Sequence, residues 1–174
     1  TGGSATSGFV ERVELWQRGL FAIQDFPITG IGLGTYGTVI PLLYPFLIIP
    51  PNTFLPDAHN LPIQVGVDLG IPGLVTWLAM LICLFVMMAQ VLRKTHDPLR
   101  WALAAAVVVS FVGYLVAGIF AATNWGVKPA FLPWLIGAVG VLVFRQQWLE
   151  ENRPTEVSAP MDRAAPPAAS EPHA

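Results

Sequence analysis

The chain has 174 residues, 54% hydrophobic and 11% charged, with mean hydropathy +0.60 and a formal net charge of −2. Soluble domains carry about 25% charged residues, so lipid rather than water must solvate much of this chain. The charge balance excludes a basic nucleic-acid binder, the single Cys83 a disulfide scaffold, and the apolar content wholesale disorder.

The chain opens Thr1-Gly2-Gly3-Ser4, with neither Met nor a signal peptide, and reads as a fragment of a longer protein. An amphipathic helix is predicted near 8–25. Wound at about 100° per residue, Glu11, Glu14, Arg18 and Asp25 gather on one charged face. Val13, Trp16, Leu20 and Ile23 lie opposite, and Arg12 falls within that apolar arc. A guanidinium on a packing face needs an anion, and its planar fork suits phosphate. The alternatives are an acidic partner in a missing part of the protein, or a frayed and wet first turn.

Residues 26–56 are uncharged, but Pro27, Pro41, Pro45, Pro50, Pro51 and Pro56 forbid a long helix, so a partly buried loop is predicted. Gly32-Leu33-Gly34-Thr35-Tyr36-Gly37 matches the dinucleotide-binding glycine pattern literally. Without a preceding strand and a helix opening from it, that pattern has no phosphate cradle to build, and the Rossmann reading is refused. The glycines instead permit tight turns and close packing.

His59 is the one histidine placed outside both the cytoplasmic connection (His96) and the tail (His173). Asn60 suits an N-cap, Leu61-Pro62 a first turn, and Gly70 with Pro72 a stop, which predicts a half-helix over 61–69. The free N–H groups at its start favour an anionic ligand and a neutral imidazole at His59, the form able to act as a base. Asn60, Gln64 and Asp68 form a polar stripe at i, i+4, i+8, with Gln64 and Asp68 expected to face interfacial water. Asp57 reads as a turn residue, though a second carboxylate near His59 is the alternative.

Uncharged runs of 24, 27 and 16 residues (69–92, 101–127 and 129–144) predict three transmembrane helices, near 71–92, 101–123 and 129–148. The third requires Lys128 and Arg145 to reach the headgroups. Trp101, Trp125, Trp134 and Trp148 then sit near span ends. Cys83, Met80, Met87 and Met88 need no role beyond packing, and Gly113 with Ala117 reads as a helix-contact face. Arg93, Lys94 and Arg100 place the 93–100 connection in the cytoplasm, with 1–60 outside and a disordered, Pro- and Ala-rich cytoplasmic tail over 150–174. The fold class is thus all-α: a polytopic membrane protein fragment with three transmembrane helices, preceded by an extracytoplasmic loop carrying amphipathic and half-embedded helices.

Arg12-x-x-x-Trp16, Pro27-x-x-Gly30-x-Gly32-x-Gly34-x-Tyr36, His59-Asn60-x-x-x-Gln64 and Asp68-x-Gly70-x-x-Gly73 resemble, in this order, the O-antigen ligase/polymerase-related membrane proteins. The resemblance covers about residues 8–92 and is to the family's C-terminal part. It implies transfer of a glycan from an undecaprenyl-diphosphate carrier to a lipid A core or another glycan, on the outer face of the bacterial inner membrane. It places Arg12 at the donor diphosphate and His59 at the acceptor hydroxyl, with Asn60, Trp16 and Tyr36 as further substrate contacts. No metal or other cofactor is required, and a fragment lacking the N-terminal transmembrane half is expected to be inactive. A repeat-unit polymerase is the alternative within that chemistry, and a bicarbonate-type transport protein the alternative outside it. Ionisable groups inside the spans, which transport would favour, are absent from 69–92 and 101–127.

Overall fold

A computed structural model describes residues 5–50, 53, 55, 57–121 and 131–153. Among these there are five helices and no strand: α1 (Ala5–Asp25), α2 (Tyr36–Leu43), α3 (Leu61–Lys94), α4 (Pro98–Phe120) and α5 (Phe131–Glu151). The all-α class expected from the sequence is observed. The tail beyond 153 and Trp125 lie outside the described residues.

The helices form two layers. In the first, α3, α4 and α5 pack around Leu81, Leu84, Met88, Val107, Phe111 and Val143. Asp97 caps α4 by accepting from the Leu99 N–H at 3.0 Å, and Pro98 fits its first turn. The short 95–97 link therefore returns α4 antiparallel to α3. At that end Arg100 holds Glu150 through two hydrogen bonds, 2.8 and 2.7 Å, and Lys94 reaches Glu151 at 3.1 Å, fixing α5 to both neighbours.

Two helices, α3 and α4, are long and apolar enough to cross a membrane, not the three expected. Only 22% of the most apolar stretch of each is buried, so their apolar surface faces outward, unlike a helix in a soluble core. The expected third span is present as α5 and packs against both, but its apolar run ends at Arg145-Gln146-Gln147. The contact face of α4 also differs from expectation. Gly113 has open space around it, whereas Ala104, Val107, Phe111 and Gly118 are buried.

The second layer packs α1, α2 and Phe46, Ile49, Leu55 and Ala58 of the following connection around Leu15, Ala22, Tyr36 and Ile40. What joins the layers is a break in α3. Gly70 takes φ 70° and ψ −173°, and Pro72 has no N–H to give the Asp68 carbonyl. Ile71 turns its N–H to the Pro27 carbonyl at 2.7 Å, which releases the Val67 carbonyl as well. The glycine loop takes up both acceptors: Ile31 N–H donates to Val67 at 2.8 Å and Gly32 N–H to Asp68 at 3.2 Å. Backbones this close leave no room for a side chain. A Cβ on Gly30 would lie 2.5 Å from Asp68 backbone, and one on Gly70 2.7 Å from the Pro27 and Ile28 carbonyls. The glycine pattern refused as a nucleotide cradle is therefore the clasp for a helix break.

Beyond the break, Ile71–Lys94 and α4 are each about 35 Å long, so the two match. Residues 61–69 do not continue past them but fold across the end of α4. Leu61 would meet a Cβ on Gly118 at 3.0 Å, and the Asn60 side chain donates to the Ile119 carbonyl at 3.1 Å. The expected half-helix is thus the first arm of one kinked helix.

Candidate functional site

Two chain segments meet over this arm: α1, which carries Arg12, and the 57–60 loop, which carries His59. The registration of α1 follows from its small residues. A Cβ on Gly19 would be 2.7 Å from Ile63, and Gly66 is as close to Ile23, so α1 lies directly on the 61–69 arm.

Glu14 does not belong to a solvated charged face as the helical wheel suggests. It is 4% exposed and accepts the N–H groups of Leu47, Ile48 and Ile49 at 2.6, 3.0 and 3.1 Å. Burial would raise its pKa, but these three donors and Arg18 hold it below the usual carboxylate value. The buried arc of α1 is Glu14, Leu15, Gly19 and Ala22, while Leu20 is exposed. Arg12 sits half-buried at the margin of that arc, and it has no hydrogen bond or ion pair among the described residues.

His59 is held in the left-handed backbone region, at φ 48°. Its N–H donates to Asp57 Oδ1 at 2.7 Å, and its ring Nδ1 lies 3.0 Å from the same oxygen. Asp57 is thus both the turn residue and the carboxylate beside His59 that the sequence left as alternatives. The hydrogen bond to Asp57 raises the His59 pKa; burial and the nearby Arg12 guanidinium oppose it. The net direction is upward, against the neutral imidazole expected from the helix N-terminus alone: a carboxylate in contact outweighs the partial charge of a helix end. Burial would raise the Asp57 pKa, yet the ring and backbone of His59 bring it down.

Asn60 caps α3 as expected, accepting from the Ile63 N–H at 3.1 Å. Gln64 and Asp68, expected to be wet, are 2% and 1% exposed. Gln64 accepts the Ala58 N–H at 2.8 Å and donates to Asp68 Oδ1 at 2.9 Å, so the polar stripe points inward and supports the His59 loop. Tyr36, expected as a substrate contact, lies in the core of this layer. It has no exposed surface, and its hydroxyl donates to the Leu15 carbonyl at 2.7 Å. Burial pushes its phenol pKa up, with the Asp57 charge adding to this. Trp16, one turn from Arg12, is half-buried; it meets Phe9 edge-on, and its indole N–H is buried without an acceptor.

The structure therefore brings Arg12, His59 and Asn60 to one region, with Trp16 beside Arg12, and puts Tyr36 in the core beneath. An apolar cavity of about 360 Å³ between α3, α4 and α5, lined by Trp77, Phe111 and Trp134, touches none of them. Among the described residues no three His, Cys, Asp or Glu side chains are grouped to hold a metal ion.

The family model described as O-antigen ligase matches residues 2–78. This stretch is similar to the O-antigen ligases. It contains α1, the glycine loop, α2, His59 and the kinked arm of α3, so the ligase-related segment coincides with the clasped layer and ends just past the helix break. Comparison with curated proteins gives no match. The match covers residues 2–78 of the 174, and two helices, α3 and α4, are long and apolar enough to cross a membrane.

Proposed function

We propose that the chain carries part of the active site of a lipid-linked glycan transferase of the O-antigen ligase kind. The donor is a glycan on undecaprenyl diphosphate, and the acceptor a sugar hydroxyl of a lipid A core. The observation that carries this reading is Arg12, without a hydrogen bond or ion pair among the described residues and close enough to His59 to oppose its protonation. A base for a hydroxyl and a cation for a diphosphate leaving group are the two requirements of such a transfer.

In this scheme the acceptor oxygen bonds to the anomeric carbon while the carbon–oxygen bond to the diphosphate breaks. The bonding pair leaves with the diphosphate, whose charge Arg12 offsets, and the hydroxyl proton passes to His59. Trp16 packs beside Arg12, and Asn60 orders the loop rather than the substrate, since its amide is engaged with Ile63 and Ile119. Residues 1–60 are assigned to the outer face of the bacterial inner membrane and the C-terminus to the cytoplasm, from the basic residues at 93–100.

The test is glycan transfer by the full-length protein in liposomes, with a lipid A core acceptor and, separately, a free repeat-unit glycan. His59→Ala is expected to lower kcat about 10²–10⁴-fold, the usual contribution of a general base. Arg12→Ala should do comparable damage, with Arg12→Lys keeping part of the rate. Native transfer that survives both alanine variants would remove the site. Transfer to the free glycan alone would make the protein a polymerase.

A further inference from the structure

One oxygen, Asp57 Oδ1, is shared by the backbone N–H and the ring of His59. The left-handed backbone of a residue with a Cβ is strained, so something must hold it. The loop is held at each residue. Ala58 is anchored to Gln64, itself tied to the buried Asp68, and Asn60 is anchored to Ile63 and Ile119. His59 between them has its ring and its backbone directed to Asp57.

A carboxylate accepts but does not donate, so the ring nitrogen facing Asp57 must carry the hydrogen. We propose that Asp57 is the positioning residue of this site: it fixes His59 as the Nδ1–H tautomer, leaving Nε2 as the nitrogen that receives a proton. The ring is one-third exposed, enough for a hydroxyl to approach. Among the described residues, the charged groups acting on His59 are Asp57 from its own loop and Arg12 from α1, while the Tyr36 phenol of α2 feels the Asp57 charge. Asp57 thus answers Arg12, keeping the base basic beside a cation that would otherwise weaken it. The catalytic consequence rests on the transferase reading; the tautomer does not.

The tautomer is read by ¹⁵N–¹H correlation spectra of ¹⁵N-histidine-labelled protein in nanodiscs, where this chain contributes three histidines. Native His59 should show a protonated Nδ1 and titrate above the ordinary value of about 6.5. Asp57→Asn keeps an oxygen for the backbone N–H but loses the charge. It should lower the His59 pKa by about one unit or more, and the ring should shift toward the other tautomer. Transfer by Asp57→Asn should fall in kcat with little change in KM, and the acidic limb of its pH profile should move down with the His59 pKa. A native His59 protonated on Nε2, or one whose titration ignores Asp57→Asn, would overturn the assignment whatever the activity. The native spectrum decides even if the variant fails to fold. The assigned tautomer in a protein that transfers no glycan would instead sink the reaction and leave Asp57 in its place.

Discussion

Glu14 illustrates how far a single side chain governs this site. Its carboxylate ties the helix that bears Arg12 to the loop at Leu47–Ile49, upstream of His59. Glu14→Ala strands three N–H donors, and hydrogen bonds to a charged group contribute about 1.5–3 kcal/mol, so a loss of about 2–3 kcal/mol is expected. Thermal unfolding in detergent measures it. Glu14→Gln keeps one acceptor and should fall between. Because the folded-state pKa is lowered, the contribution is present above the unfolded value and disappears as pH falls through the folded one. Native and Glu14→Gln proteins should therefore converge in stability at acid pH. Residue-scale chemistry was partly legible in sequence. Arg12 stood out because a guanidinium on an apolar arc is anomalous, and His59 because it precedes a capped helix. Glu14, Gln64 and Asp68 were misjudged for one physical reason. A helical wheel treats charged and amide groups as solvated, whereas Glu14 and Gln64 accept backbone N–H groups of loops that no local pattern locates, and Asp68 accepts the Gln64 amide.

At the scale of elements, the decisive feature is the exchange of hydrogen bonds across the α3 break. Gly70→Ala adds a Cβ at a positive φ and 2.7 Å from two carbonyls, so it is expected to unseat the 27–32 loop. Hydrogen exchange should then lose protection at the Ile31 and Gly32 amides while α4 amides keep theirs. Equal loss everywhere would mean that the break supports the whole helix packing and not the clasp alone. The helix contacts give a second contrast. Gly118→Val drives a branched side chain into Leu61, whereas Gly113→Val points into open space. The first should lower the unfolding temperature and the second leave it near the native value. Proline and glycine positions made the break at 70–72 readable, because backbone chemistry is local. The choice of Gly118 over Gly113 was not, because it depends on where the 61–69 arm folds after the break.

For the whole molecule, the two layers have different solvents. The α3–α4 hairpin exposes apolar surface along its length, and the α1–α2 layer packs over one end of it, the end opposite the Arg100–Glu150 and Lys94–Glu151 pairs. If lipid surrounds the hairpin, the two ends lie on opposite sides of the membrane, and the proposed topology puts the 93–100 end in the cytoplasm. Cys83 is the sole cysteine of this chain and lies within α3, between those ends. A membrane-impermeant maleimide should leave it unmodified in intact cells, since hydrocarbon excludes the reagent. Against that background, Ile28→Cys, 75% exposed beside the clasp, should label from outside, and His96→Cys, in the exposed 95–97 link, only after permeabilisation. The reverse pattern would put Arg12 and His59 in the cytoplasm, away from a flipped lipid-linked glycan. Labelling of both from outside would mean that the hairpin does not cross at all. Either result would remove the proposed reaction while leaving the clasp, the Glu14 bonds and the Asp57–His59 pair intact, because those depend on local backbone geometry and not on the side of the membrane they face.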